Sequence, residues 1–327
     1  LHGRHGAIPA TLASPLCPVV AGPGEDAMGV MHRRDAIRRA GTVAVGSLIA
    51  GAGRHAAGSA REHPEPVERQ RIVKVGRLKQ SVSRWPYNKI PLPDFCKAVA
   101  DMGLPAIDLL QPAEWAALEP YGLVCSMGYA EAGTIAKGLN DPANHDAIVA
   151  GLEKNIPLAA KARVPNVITF FGNRIAAMTE TEAIANCVTG LNRVKRVAED
   201  HGVTICVELL NSKVDHKGYL GDHTSLGVEV VKAVASPRVK LLYDIYHMQI
   251  MEGDVIRTIR QNIQYLGHFH TGGVPGRHEL DDTQELQWAS VCRAIAETGY
   301  QGYVAHEFVP TRDLLTSLRE AVALCDV

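Results

Sequence analysis

A chain of 327 residues, 46% hydrophobic and 21% charged with formal net charge −1, is long enough for one large folded domain and too apolar for a disordered one. Near-neutral charge and 5% aromatic residues argue against a basic, base-stacking nucleic-acid surface. The seven cysteines form no Cys-x-x-Cys pair, so neither a zinc knuckle nor a disulfide framework is indicated, and they read as small buried apolar residues.

Residues 1–70 do not read as fold: they are rich in Gly, Ala, Pro and Arg, without a sustained period. Within them, Arg33-Arg34 precedes a weakly apolar Ala/Gly/Val run from Ala40 to Gly53. An arginine pair before such a run resembles a twin-arginine export signal, and Gly58-Ser59-Ala60 offers a small-residue cleavage site. The run is too short and glycine-rich for a transmembrane helix. The expectation is a disordered leader with a signal over 31–60, export to the periplasm or beyond, Met31 as the biological start and 1–30 as an over-extended frame.

From 71 to 327 the text alternates strand and helix, over close to the ~250 residues of a (β/α)8 TIM barrel. Strands are expected at 73–82, 106–110, 123–129, 166–171, 203–210, 239–245, 265–270 and 302–308. Helices are expected at 94–102, 144–162 (kinked at Pro157), 181–200 (stopped by Gly202), 225–235, from about 254, 285–297 and at the C-terminus. Buried, β-branched strands between helices mean a parallel sheet covered by helices. An open doubly wound sheet is the alternative, disfavoured because no Gly-x-Gly-x-x-Gly follows strand one.

Chemistry collects at four successive strand ends. Glu208 closes Thr204-Ile205-Cys206-Val207; Asp244 closes Leu241-Leu242-Tyr243; His268 and His270 share a face of strand seven; Glu307 follows Val304-Ala305-His306. Each alone fits a rim or structural residue. An acid in so apolar a setting as Glu307 needs a partner. Together they point into one mouth, where three carboxylates would repel without a cation between them. Oxygens plus one imidazole suit Mn²⁺, Co²⁺, Mg²⁺ or Zn²⁺, the imidazole tilting away from Mg²⁺.

The segment Tyr243-Asp244-Ile245-Tyr246-His247-Met248-Gln249 resembles the strand-six motif of the xylose-isomerase-like barrel superfamily, which holds sugar epimerases, hydroxypyruvate isomerases and endonuclease-IV-type enzymes. The stretch from His268 to Glu279 is similar to a hydroxypyruvate isomerase pattern with a Pro-Gly-Arg-x-Glu turn. Val207-Glu208-Leu209-Leu210-Asn211 and His306-Glu307-Phe308 complete the match. The resemblance implies a metal-dependent isomerase working through an enediolate, with hydroxypyruvate as first substrate. Glu208 and Glu307 would be the acid–base pair, and Glu208, Asp244, His270 and Glu307 the metal ligands. His247 would contact a substrate oxygen, and Arg277 the substrate's carboxylate or hydroxyl.

His270 departs from the glutamine frequent in hydroxypyruvate isomerases and matches ketose 3-epimerases, so an epimerase is the alternative. A hydro-lyase of cyclic polyols, an endonuclease-IV-type enzyme (whose extra ligands would have to come from His145, His216, His223 and His278, which are not spaced as a cluster) and a non-catalytic sugar binder follow behind. The loop Lys213–Tyr219 reads as solvated or as pairing with an anionic substrate. Expected partners are a small hydroxycarbonyl or sugar, with no nucleic acid, no membrane after signal removal, and a homo-oligomer admitted.

Overall fold

In the computed structural model, which describes residues 71–327, the alternating text closes into eight parallel strands ringed by helices. The expected leader and export signal lie outside the described residues. The strands are β1 (Lys79–Ser83), β2 (Ala106–Asp108), β3 (Val124–Cys125), β4 (Asn166–Phe170), β5 (Thr204–Leu209), β6 (Val239–Asp244), β7 (Leu266–Thr271) and β8 (Tyr303–His306). The helices are α1 (Leu92–Met102), α2 (His145–Lys161), α3 (Glu180–His201), α4 (Thr224–Val234), α5 (Ile245–Met251), α6 (Val255–Asn262), α7 (Trp288–Glu297) and α8 (Leu314–Cys325). No described helix is long and apolar enough to cross a membrane.

Local chemistry sets these bounds. Thr179 and Glu182 form a reciprocal capping box at the start of α3, and Gly202 ends it at φ 70°. β4 and β5 are buried along their whole length, as parallel strands under helices must be. The six described cysteines are buried free thiols, as expected. The strand order β3-β2-β1-β8-β7-β6-β5-β4 leaves β3 and β4 to be joined, and Gly128 joins them: its N–H donates to Asn166 O (2.9 Å), and its carbonyl accepts from Ile168 N (3.1 Å). A Cβ on Gly128 would stand 2.5 Å from the Trp115 ring, so only glycine lets the ring pack there.

Several bounds differ from expectation. β2 stops at Asp108 because Leu109 turns into the left-handed region at φ 56°. β1 starts only at Lys79, because the N–H groups of Lys74, Val75 and Gly76 are engaged elsewhere: all three donate to the Asp326 carboxylate at 2.5–2.8 Å. The text after β6 holds the unexpected helix α5, started when Asp244 Oδ1 accepts from the N–H groups of Tyr246 (2.9 Å) and His247 (3.4 Å).

The Asp326 contact ties the chain's C-terminal turn to the lead-in of β1. Burial pushes its carboxyl up, but the three bonds and the nearby Arg71 together hold it below the ordinary range. Asp326→Ala is expected to cost about 1–2 kcal/mol, the range for charge-assisted hydrogen bonds on a part-exposed group. The loss should show in urea melts at neutral pH. It should shrink as pH falls below the ordinary aspartate range, because the wild-type contact then loses its charge.

Candidate active site

Strand register brings the four expected ligands together. Asp244 pairs with His270 across β6 and β7, Glu208 sits one residue before the end of β5, and Glu307 follows β8 with its N–H donating to Thr271 O (3.0 Å). One donor atom from each of Glu208, Asp244, His270 and Glu307 lies within 4.8 Å of all the others, and all four residues are buried. His270 Nδ1 is 2.5 Å from Glu307 Oε2, 3.5 Å from Glu208 Oε1 and 3.9 Å from Asp244 Oδ2, yet makes no aligned hydrogen bond. A buried imidazole nitrogen without an aligned partner, facing three carboxylates, fits a divalent cation.

The electrostatics of these groups diverge. Burial pushes the Glu208 carboxyl up to about 7, the nearby Glu307 charge adding to it and His270 opposing. Burial also raises Asp244, against the pull of Arg277. Burial acts the same way on Glu307, but His270, Arg277 and the Trp85 indole outweigh it and hold the carboxyl at about 2. His270 moves well above its ordinary range: burial disfavours its charge, but the facing Glu307 and Glu208 carboxylates and the hydrogen bond to Asp108 favour it more. Two carboxylates in one site are thereby pushed apart, the arrangement that separates an acid from a base.

Arg277 reaches the site from the turn after β7, where it adopts φ 59° beside Gly276 at φ 89°. Its Nη2 donates to Asp244 Oδ2 (2.7 Å) and Glu307 Oε2 (2.6 Å), and its Nε to Glu307 O (3.2 Å). The guanidinium carbon lies 5.2 Å from the Tyr246 ring centre and 5.8 Å from that of Trp85. Glu279 anchors this turn, accepting from Thr311 N, Thr311 Oγ1, Arg312 N and Ser317 Oγ.

His247, fully buried on α5, has an imposed tautomer. Asn211 Oδ1 accepts from Val214 N and Asp215 N, which turns Asn211 Nδ2 toward His247 Nδ1 at 2.6 Å. His247 Nδ1 therefore accepts, and Nε2 carries the proton with no hydrogen-bond partner, 3.6 Å from Asp244 Oδ2. Burial, with Arg277 nearby, keeps the ring neutral by lowering it well below the usual histidine range.

Five site residues escaped the sequence reading: Trp85, Asp108, Asn211, Asp215 and Tyr246. Trp85 Nε1 donates to Glu307 Oε1 (2.6 Å), and Tyr246 Oη donates to Asp215 Oδ2 (2.8 Å). Asp108 was readable, being an acid closing a short apolar strand as Glu208 and Asp244 do. Its Oδ2 lies 2.9 Å from His270 Nε2, its Oδ1 3.2 Å from His268 Nε2, and Ser126 Oγ donates to Oδ1 at 2.6 Å. Burial pushes its carboxyl up, but the two imidazoles hold it well below the usual range. The bond to Nε2 leaves Nδ1 of His270 as the ring nitrogen that could hold a cation.

Asp108→Asn offers one acceptor to two imidazoles, so one ring must reverse its tautomer. The expected result is metal affinity ~10–100-fold weaker with unchanged circular dichroism, read by Mn²⁺ titration with electron paramagnetic resonance. Unchanged affinity would remove Asp108 from the account.

The histidines that an endonuclease-IV-type cluster would need lie apart, as their spacing suggests. His145 bonds to Leu139 O, His223 to Asp222, and His278 to Val309 O, each outside the cluster. The loop after β5 is not merely solvated: Asp215 belongs to the network above and His216 lines the cavity. Lys213 Nζ is used on the carbonyls of Ile250 and Met251 (3.0 Å each), not held for an anion. That cavity, about 350 Å³, opens beside Glu208, Arg277 and Glu307.

A family model described as "Xylose isomerase-like TIM barrel" matches residues 87–325. A Danio rerio protein provisionally named hydroxypyruvate isomerase is 30% identical over 156 residues, covering 46% of this chain and 56% of that protein. The 2-oxo-tetronate isomerase of Cupriavidus necator is 28% identical over 68% of this chain and 89% of its own length. A D-psicose 3-epimerase from Clostridium cellulolyticum H10, solved with D-tagatose, shares the fold at TM-score 0.58 and 22% identity, covering 75% of this chain and 90% of that one.

Proposed function

The chain belongs to the xylose isomerase-like TIM barrel family, and from that premise we propose that it isomerises or epimerises an α-hydroxycarbonyl compound through an enediolate, using Glu208 and Glu307 as its proton-transfer pair. The observation that carries this is the convergence of Glu208, Asp244, His270 and Glu307, two of which, Glu208 and Glu307, line one cavity. A divalent cation held by these four residues would supply Lewis-acid polarisation of the substrate carbonyl.

The remaining work falls to the side chains. One glutamate takes the proton from the carbinol carbon; the C–H electron pair becomes the enediolate C=C bond, and charge passes to the carbonyl oxygen. Return of a proton to the former carbonyl carbon, with loss of the neighbouring O–H proton, moves the carbonyl. Return to the original carbon on its other face inverts the centre. Nε2–H of neutral His247 is a ready donor to a substrate oxygen. Trp85 and Arg277 orient Glu307 and keep it ionised.

Hydroxypyruvate, giving 2-hydroxy-3-oxopropanoate, is one candidate substrate, supported by the Danio rerio relative's name. A free ketose is the second, favoured by a specific observation: Arg277, expected to bind a substrate carboxylate or hydroxyl, already bonds to two carboxylates of the protein. Mn²⁺-loaded protein in D2O with hydroxypyruvate, ketohexoses and inosose, read by NMR, separates them. Deuterium with carbonyl migration is expected of an isomerase, and deuterium with inversion of an epimerase. No deuterium in any compound would defeat the enediolate reading.

A further inference from the structure

We infer that the chain carries a second small-molecule site, for a phosphate monoester, at the end of the barrel opposite Glu208 and Glu307. A cavity of about 420 Å³ opens there. It is lined where the parallel strands begin: Lys79 opens β1, Thr204 opens β5 and Tyr303 opens β8, while Arg163 and Arg238 lie in the turns entering β4 and β6. Glu208 and Glu307 stand at the other ends of β5 and β8 and line a different cavity. Three cations line this one and no carboxylate does. None of the three forms an ion pair among the described residues, whereas Arg174, Arg193, Arg260 and Arg312 elsewhere each reach a carboxylate. Cations gathered around one concavity repel one another until an anion enters, and its low-dielectric walls focus their field on that anion.

Two contacts locate charges at the cavity. Lys79 Nζ lies 5.8 Å from the ring centre of Tyr303, a lining residue. Arg238 Nη2 lies 3.7 Å from where a Cβ on Gly202 would stand, beside the turn that enters β5. Thr204, which opens that strand, keeps a hydroxyl without a hydrogen-bond partner among the described residues. A guanidinium presents paired N–H groups that match the oxygens of phosphate, and the hydroxyl adds a neutral donor. Pro165 and the Tyr303 ring add apolar surface to the same lining. The volume is room for about fourteen waters at ~30 Å³ each, more than a bare phosphate ion fills. Cations, a free hydroxyl and an apolar flank in one cavity suit an ester, its phosphate among Lys79, Arg163 and Arg238 and its organic part against Tyr303 and Pro165.

The test titrates phenyl phosphate, which has no carbonyl for an enediolate reaction, into Mn²⁺-loaded protein freed of excess metal. Orthophosphate and benzyl alcohol are titrated alongside, and calorimetry reads all three. Phenyl phosphate is expected to bind about tenfold tighter than orthophosphate, from burial of its ring, and the uncharged alcohol not measurably. Lys79→Gln and Arg238→Gln should each weaken phenyl phosphate about fivefold or more, as loss of a charge-assisted contact does. Thr204→Val, which keeps the shape and the strand preference of the residue, should weaken it several-fold. All three variants should keep the wild-type Mn²⁺ affinity and thermal midpoint without phosphate. No binding at ~10 mM phenyl phosphate overturns the inference. So does binding that survives Lys79→Gln and Arg238→Gln unchanged, which would place the phosphate on the metal instead. Orthophosphate binding as tightly as phenyl phosphate overturns it too, leaving a basic surface without a site for an ester.

Discussion

Glu307→Gln is expected to lower turnover by at least ~10²–10⁴-fold, the contribution of a positioned acid–base group, while the protein still folds and still binds metal weakly. The amide keeps the shape of the carboxyl and can accept from Trp85 Nε1 as Glu307 Oε1 does. It cannot take a proton, and it removes the negative charge that Arg277 and His270 face at 2.6 and 2.5 Å. Arg277 keeps Asp244 as a partner, so the guanidinium is not left unpaired. The decisive comparison sets kcat beside Mn²⁺ affinity and the thermal midpoint. A large kcat loss with a modest affinity loss assigns Glu307 to proton transfer, and a kcat within a few-fold of wild type sinks that role.

The site was more legible than its frame, for a physical reason. A carboxylate closing a buried β-branched run is costly unless something compensates it, so Glu208, Asp244 and Glu307 stand out in one dimension. Asp108 carries the same signal more weakly, because its strand text is a short apolar run. Trp85 gave no such signal: an indole after β1 looks like any loop aromatic until the barrel carries it to Glu307. The role of Arg277 also depended on three dimensions. Its Pro-Gly-Arg text marks a tight turn, whereas its partners are set by where the β7 and β8 loops cross. In the frame, β2 and β3 proved much shorter than their apolar text. Leu109 leaves the strand region early, and past Cys125 the backbone link to β4 is carried by Gly128. Helix α5 is hard to see in one dimension because its start signal, the Asp244 cap, is the same carboxylate that reads as a cation ligand.

Metal removal is the second large effect. Treatment with a chelator is expected to abolish activity, and Mn²⁺ or Co²⁺ to restore it; full activity in metal-free protein would exclude the Lewis-acid account. Stability should respond as well, because a cation bound only by the folded state stabilises it by mass action. At a hundredfold excess over its dissociation constant this is about 2.7 kcal/mol, or roughly 5–10 °C in Tm for a domain of this size.

The pH dependence has a definite sign. Glu208 sits at about 7 in the fold against an ordinary 4.5, so the folded state holds a proton that the unfolded chain releases. His270, raised well above 6.5, does the same at higher pH. Metal-free stability from these two groups is therefore greatest in acid and falls as pH rises through 4.5 to 7 and beyond. Binding a cation requires those protons to leave, so protons compete with metal and the Mn²⁺-induced rise in Tm should grow as pH increases from about 5.5 to 7.5. An increment independent of pH would mean that the cation binds elsewhere than among Glu208, Asp244, His270 and Glu307.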